Sequence, residues 1–203
     1  MESSAFGGKT GGAAGAAGSP TNGQKGFDLI AYVMDELCQD AVQIVVLGTG
    51  EERYENMFRH FDWKYHGKVS AQIYYDETMS HRIYAAADAF LMPSLFEPCG
   101  LSQLMSLRYG TLPIVRETGG LKDTVEPYNE FEGTGTGFSF SNYNAHEMLN
   151  TIRYAKDVYY NRNMNCRYLD TRGLIISSPD IIECDKIFQK YLPNRSDIKQ
   201  QTS

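Results

Sequence analysis

A loop that follows an apolar strand carries the residues of this sequence best suited to chemistry. The strand is predicted at residues 89–92 and ends at Pro93, and Glu97 lies further along the same loop, before a second proline. A helix is predicted to begin near Gly100 or Leu101, where the free N–H groups of a first turn would suit a diphosphate. A carboxylate on that loop would face the ligand just beyond the phosphates, and the alternative is a Glu side chain in a solvated turn.

Glycine-rich turns at other strand ends are weaker candidates for ligand contact. Gly-Thr-Gly at 48–50 follows the apolar run 42–47, and Gly-Gly at 119–120 follows the strand predicted at 112–115. Glycines let a backbone turn tightly and let a ligand approach it, but a plain strand-to-helix turn explains each segment as well. The Gly-Gly-Lys-Thr sequence at 7–10 lacks the strand and the glycine spacing of a phosphate loop, so we interpret it as linker.

The elements that would position these residues alternate between strands and helices. Short apolar runs predict strands at 42–47, 69–75, 89–92, 112–115 and 138–140. Helical faces are predicted between them, including one formed by Leu101, Leu104, Met105 and Tyr109. This alternation predicts an α/β domain with a doubly wound, mostly parallel sheet, which binds ligands at the carboxyl ends of its strands.

The composition divides the chain into three segments. Residues 1–23 are nearly all Gly, Ala, Ser and Thr, so we expect a flexible arm or an expression remnant. Residues 24–165 carry the α/β pattern, and residues 166–203 form a divergent carboxyl-terminal segment with a helix predicted to start at Ser178.

Charge and composition exclude several classes of protein. The 203-residue chain has a formal net charge of −6 and no Lys/Arg run, which is unfavourable for binding a nucleic-acid backbone. No apolar run reaches the ~20 residues of a membrane helix. The four cysteines and four histidines show no metal-ligand spacing, so no metal is expected. Reduced thiols and the absence of a signal sequence predict a cytoplasmic compartment, or a plastid for a plant protein.

One long motif resembles a known family. The segment FEPCGLSQLMSLRYGTLPIVRETGGLKDTV (96–125) resembles the carboxyl-terminal lobe of bacterial glycogen synthases and plant starch synthases. Shorter stretches support the resemblance over residues 24–165: QKGFDLI (24–30), VVLGTGE (45–51), YDETMSHRIYAAADAFLMPS (75–94) and GTGFSF (135–140).

The resemblance implies a fold and an activity. The family has two Rossmann-like lobes with the active site between them, the GT-B arrangement, and this chain would be one lobe. Its members transfer glucose, with retention of configuration and without a metal or other cofactor, from ADP-glucose or UDP-glucose. The acceptor is the nonreducing end of an α-1,4-glucan. The expected partners are therefore ADP-glucose or ADP, the glucan and an amino-terminal lobe.

The resemblance also assigns roles to particular residues. Glu97 matches the active-site carboxylate beside the donor glucose, and Lys25 matches the lysine that neutralises the donor phosphates. Tyr75 matches the aromatic residue that stacks on the nucleobase. The residues that match the nucleotide-sugar loop and helix start are Cys99, Gly100, Leu101 and Ser102.

Departures from the family pattern leave other functions open. The family has an arginine five residues before its lysine, where this chain has Pro20, and Gly/Ala sequence replaces the strand before it. We therefore expect the first strand of the sheet to be missing, and this chain alone to be inactive without its other lobe. The alternatives are a non-catalytic nucleotide-binding fragment and another GT-B glycosyltransferase.

Overall fold

A computed structural model of the protein describes residues 4–7, 12–15 and 161 by their backbone, and residues 24–160 in full. The predicted helix at Ser178 and the rest of residues 166–203 lie outside the described residues. The strands are β1 (Ser4–Gly7), β2 (Gly12–Gly15), β3 (Gln43–Leu47), β4 (Val69–Gln72), β5 (Ala87–Met92), β6 (Leu112–Arg116) and β7 (Phe138–Phe140). The helices are α1 (Phe27–Leu37), α2 (Glu52–Lys64), α3 (Glu77–Ala86), α4 (Ser102–Tyr109), α5 (Gly119–Thr124) and α6 (Ala145–Asn161).

The strands form one sheet in the order β4-β3-β1-β2-β5-β6-β7. Strand β3 pairs in parallel with β4, and β5, β6 and β7 pair in parallel with one another. The chain runs outward from β3 to β4 and then crosses to β5 on the other side, so the winding direction changes between β3 and β5. The predicted doubly wound, mostly parallel fold is confirmed, and a change of winding is where such sheets bind ligands.

The amino-terminal segment differs from the flexible arm and the missing strand that the sequence predicted. Both β1 and β2 lie between β3 and β5, where β2 is parallel to β3 and β5, and β1 is antiparallel to β2, β3 and β5. The facing edges of β3 and β5 carry backbone N–H and C=O groups that need partners, and these two strands supply them. The boundaries at 23/24 and 165/166 stay predictions.

The core lies on both faces of the sheet, as a parallel sheet requires. Successive residues of β3 alternate between the faces: Ile44 and Val46 pack with α1, α2 and α6, whereas Val45 and Leu47 pack with α3 and α5. Because all five residues of β3 are buried, the apolar run carries no polar alternation in the sequence.

Helix α4 faces the core with its polar side, which corrects the apolar stripe predicted from Leu101, Leu104, Met105 and Tyr109. Leu101, Leu104 and Tyr109 are 65%, 44% and 37% exposed. The buried residues of α4 are Ser102, Gln103 and Ser106. The hydroxyl of Ser106 donates to the backbone oxygen of Gln103 at 2.8 Å, so a small polar side chain is satisfied within the helix. Met105 is the member of the predicted stripe that packs against the buried cluster, so hydrophobic periodicity identified the helix but misplaced most of its buried face.

The loop that carries Glu97 packs directly on the backbone at the start of α5. A Cβ atom on Gly119 would lie 2.2 Å from the backbone oxygen of Glu97, and one on Gly120 would lie 2.2 Å from that of Cys99. The N–H of Gly120 donates to the Glu97 oxygen at 3.1 Å. The two glycines therefore permit a contact that any side chain would block.

We expect Gly120→Ala to displace this loop and to lower the free energy of unfolding by about 2–3 kcal/mol, because backbone atoms must shift to admit the methyl group. The matched control is Gly133→Ala, since a Cβ there meets nothing within 4 Å. Because Gly133 has a left-handed backbone conformation, alanine there should still lower the free energy of unfolding by about 1 kcal/mol. Urea denaturation measures both costs, and amide NMR shifts of residues 97–100 report the loop. An equal loss in the two variants, with unmoved loop resonances, would contradict the close contact.

Candidate active site

Two residues that the sequence singled out meet at the carboxyl edge of the sheet. The Lys25 ammonium lies 2.7 Å from Oε2 of Glu97, and the two side chains are 21% and 12% exposed. Lys25 immediately precedes α1, whereas Glu97 lies in the loop after β5. A fixed cation and a carboxylate thus share a mostly buried position at the point where the winding of the sheet changes.

Glycine at position 26 makes this meeting possible. Gly26 is the N-cap of α1 with a φ of 75°, and a Cβ atom there would lie 2.1 Å from the backbone oxygen of Pro93. The backbone oxygen of Gln24 accepts from the N–H of Leu95 at 2.7 Å. Residues 24–26, which precede α1, are therefore held directly against the loop that carries Glu97.

Arg116, at the end of β6, holds the same loop from the other side. Its Nη1 donates to the backbone oxygen of Leu95 at 2.6 Å. The guanidinium carbon lies 5.6 Å from the ring centre of Tyr143, whose hydroxyl donates to Oδ1 of Asp28 at 2.5 Å. Burial, together with this hydrogen bond, raises the pKa of Tyr143 above its ordinary value, so the hydroxyl keeps its proton at neutral pH. Arg116 thereby links the loop to both α1 and the segment before α6.

The predicted nucleotide-sugar residues lie at the start of α4. Cys99 is an exposed free thiol, and Gly100 has a φ of 64° in the turn that leads into the helix. Leu101 is the N-cap residue, and Ser102, the first residue of α4, is buried. In this turn Cys99 and Leu101 are exposed, whereas Gly100 is buried. The turn and the helix N-terminus offer backbone N–H groups suited to an anion, a few residues beyond Glu97.

Tyr75 stands further from the ion pair than the other predicted residues. It follows β4, the edge strand, and β3 and the β1/β2 pair lie between β4 and β5 in the sheet. Its ring is 55% exposed, which leaves a face accessible for stacking. The structure thus brings Lys25 and Glu97 into contact and leaves Tyr75 at the end of the same edge.

Several residues of the site were missed by sequence reasoning. Gly119 and Gly120 were weighed as a ligand loop or a plain turn, and they prove to support the Glu97 loop. Arg116 and Asp28 lie within stretches that carry the resemblance, but nothing in the sequence gave them or Tyr143 a role, because an arginine at a strand end and a tyrosine in a loop are common on a solvated surface. A contact that spans more than a hundred positions, such as that between Asp28 and Tyr143, cannot be read from local pattern.

Metal-binding and membrane-spanning features were sought in residues 24–161. Among these residues no group of three or more His, Cys, Asp and Glu side chains is arranged to hold a metal ion. No helix in the described part of the chain has the length and hydropathy needed to cross a bilayer.

Sequence comparison identifies relatives that agree with the resemblance. The chain is 77% identical over 151 residues to a glycogen synthase of Lachnospira eligens, a match that covers 74% of this chain and 32% of that protein. It is 64% identical over 151 residues to a glycogen synthase of Lachnoclostridium phytofermentans, with the same coverage of each chain. The chain therefore spans about a third of the length of these curated relatives.

Structural comparison agrees with the sequence matches. The catalytic domain of starch synthase IV from Arabidopsis thaliana, bound to ADP and acarbose, superposes with a TM-score of 0.68 at 28% identity. That match covers 86% of this chain and 37% of the starch synthase chain. A glycosyltransferase from Rickettsia africae shares the fold, with a TM-score of 0.55 at 16% identity over 88% of this chain and 48% of the other.

The family model for glycosyl transferases group 1 matches residues 21–168, which include the Lys25–Glu97 pair, the turn before α4 and every strand from β3 to β7. The predicted resemblance to glycogen and starch synthases, with the fold of a GT-B lobe, is confirmed. The chain belongs to the group 1 glycosyl transferases.

Proposed function

We propose that this chain is the donor-binding lobe of a retaining glucosyltransferase that moves glucose from ADP-glucose to the nonreducing end of an α-1,4-glucan. The observation that carries the proposal is the contact of Lys25 with Glu97, a few residues before the turn that leads into α4. Glycogen synthases similar to this chain, and the starch synthase structure bound to ADP and acarbose, support the choice of nucleotide and glucan.

The chemistry of the transfer accounts for both charges. The bond between the anomeric carbon of glucose and the distal phosphate oxygen breaks, and that oxygen leaves with the electron pair on ADP. The acceptor hydroxyl forms the new glycosidic bond and passes its proton to the departing phosphate oxygen. The Lys25 ammonium and the N–H groups at the start of α4 stabilise the charge that grows on the diphosphate. The Glu97 carboxylate lies against the glucose and stabilises the positive charge that develops at its reacting carbon.

The remaining residues would hold the nucleotide. Tyr75 stacks on the adenine, while Cys99, Gly100, Leu101 and Ser102 surround the phosphates. No step is assigned to a metal or other cofactor. The position that matches the family arginine is Pro20, outside the described residues, so in this proposal Lys25 and the turn before α4 hold the phosphates without that second cation.

The acceptor glucan and an amino-terminal lobe complete the proposed enzyme. The chain spans about a third of its curated relatives, and transfer needs donor and acceptor held together. We therefore expect this chain alone to bind donor without turnover. The alternative of a non-catalytic nucleotide-binding module remains, and so does a GT-B enzyme that uses another nucleotide sugar.

Two measurements test the proposal. Titration of the chain with ADP, UDP and GDP, followed by NMR, measures whether a donor site exists and which base it prefers. Radiolabelled transfer from ADP-glucose to glycogen, by a full-length parent and by this chain, measures the activity. No spectral change at millimolar nucleotide would refute the donor site, and transfer by this chain alone would refute the need for a second lobe.

In a full-length parent we expect Glu97→Gln to lower turnover about a hundredfold or more, because the charge is lost beside the reacting carbon. Its ADP affinity should stay within about threefold, since the phosphates are bound by other groups. Lys25→Met should instead weaken ADP binding about tenfold or more. The matched control is Lys122→Met on the exposed side of α5, which should change neither quantity. Normal turnover in Glu97→Gln would remove that carboxylate from the mechanism.

We also expect ADP to protect Cys99 from alkylation, because the exposed thiol lies in the proposed phosphate turn. Cys38 is the internal control: it is buried, and burial raises its pKa to about 12, so its reactive thiolate is scarce at pH 8. Iodoacetamide labelling and peptide mass spectrometry measure both sites. Cys99 should react freely without ADP and several-fold more slowly with it, while Cys38 stays unmodified. Equal labelling of Cys99 with and without saturating ADP would place the nucleotide elsewhere.

A further inference from the structure

The turn before α4 is tied to the protein by one buried amide. Gln103 is 0% exposed, and its Nε2 donates to the backbone oxygen of Gly100 at 2.8 Å and to that of Cys99 at 3.2 Å. The same nitrogen lies 3.1 Å from the hydroxyl oxygen of Thr124, on α5. We call Gln103, Thr124 and the two backbone oxygens the amide clamp.

The amide clamp joins the turn to the loop that carries Glu97. The Thr124 hydroxyl donates to the backbone oxygen of Gly120 at 2.6 Å, and the N–H of Gly120 donates to the backbone oxygen of Glu97 at 3.1 Å. A set of polar contacts therefore runs from the peptide units of the turn, through the side chains of Gln103 and Thr124 and the backbone of Gly120, to the backbone oxygen of Glu97.

Burial of the Gln103 amide is costly for the fold. Its Oε1 is buried and has no hydrogen-bond partner among the described residues. An unpaired buried polar atom costs free energy that an apolar side chain of the same size would not incur. The amide therefore contributes something other than core stability, namely a fixed geometry for the turn.

That geometry controls the direction of two N–H groups. In a trans peptide the C=O of one residue and the N–H of the next point in opposite directions. Because Nε2 of Gln103 holds the oxygens of Cys99 and Gly100 toward the interior, the N–H groups of Gly100 and Leu101 point the other way. Within the described part of the chain neither N–H has a hydrogen-bond partner.

We propose that Gln103 is a positioning residue that aims the N–H groups of Gly100 and Leu101 at the distal phosphate of a nucleoside diphosphate. The inference rests on the proposed function, because it deepens the same donor site. Gln103 does not touch the ligand; it acts through the turn, and Thr124 holds its amide in place.

The test compares ADP with AMP, which lacks the distal phosphate, in titrations of the full 203-residue chain followed by NMR. In Gln103→Met, which keeps the volume and removes the donors, ADP affinity should fall about tenfold. AMP affinity should stay within about twofold, because the base and the first phosphate are bound by other groups. Thr124→Val should shift the ratio of the two affinities in the same direction by about threefold, since it loosens the amide without removing it.

Gln43→Met is the matched control. Gln43 is also 0% exposed, and its Nε2 donates to the backbone oxygen of Gly67 at 3.2 Å, in the loop before β4. This variant should lose stability like Gln103→Met but keep the ratio of ADP to AMP affinity. The shift of the Gly100 and Leu101 amide resonances on ADP binding should persist in Gln43→Met and shrink in Gln103→Met.

The outcomes separate the inference from the proposed function. If the unsubstituted chain binds ADP and folded Gln103→Met keeps the same ratio of affinities, the inference is overturned and the donor site stands. If the unsubstituted chain binds neither nucleotide, the proposed function fails, and the inference fails with it. Should Gln103→Met not fold, Thr124→Val decides, and an unchanged ratio in that variant overturns the inference.

Discussion

The ion pair between Lys25 and Glu97 is the interaction on which the arrangement of the site depends. Both side chains are mostly buried, so removing either one would leave the other charge without this partner in a poorly solvated position, which costs free energy. The chain joins the two residues across 72 positions, and it does so by close backbone approach at Gly26 and at Gly120. The ion pair therefore requires glycine at both positions, because a side chain at either one would block the close approach.

A second set of polar contacts fixes the position of the loop that carries Glu97. Arg116 holds the backbone before Glu97, and Gln103 holds the backbone after it. Both side chains donate to main-chain oxygens of the loop, which is therefore held from two directions. The loop resists displacement because it is bonded to several elements of the fold.

The sequence predicted the fold class and singled out the two charged residues that the structure brings into contact. The buried run of β3 and the motif around Glu97 are local signals, so they can be read without coordinates. The inward polar face of α4 could not be read, because Ser102, Gln103 and Ser106 recur at a helical spacing just as the leucines do. Gln103 gained its role from contacts with Gly100 and Thr124, which depend on tertiary structure.

The strand β2 near the centre of the sheet depends little on its amino-acid sequence. Strand β2 consists of Gly and Ala, and it occupies its place through pairing with β3 and β5. Many unrelated tetrapeptides could satisfy the same ladder of main-chain bonds, so residue order carries little information there. The family match accordingly begins at residue 21, after the strand. Sequence identity is therefore a weak guide to structural equivalence in this region, where the pairing of the main chain defines the strand.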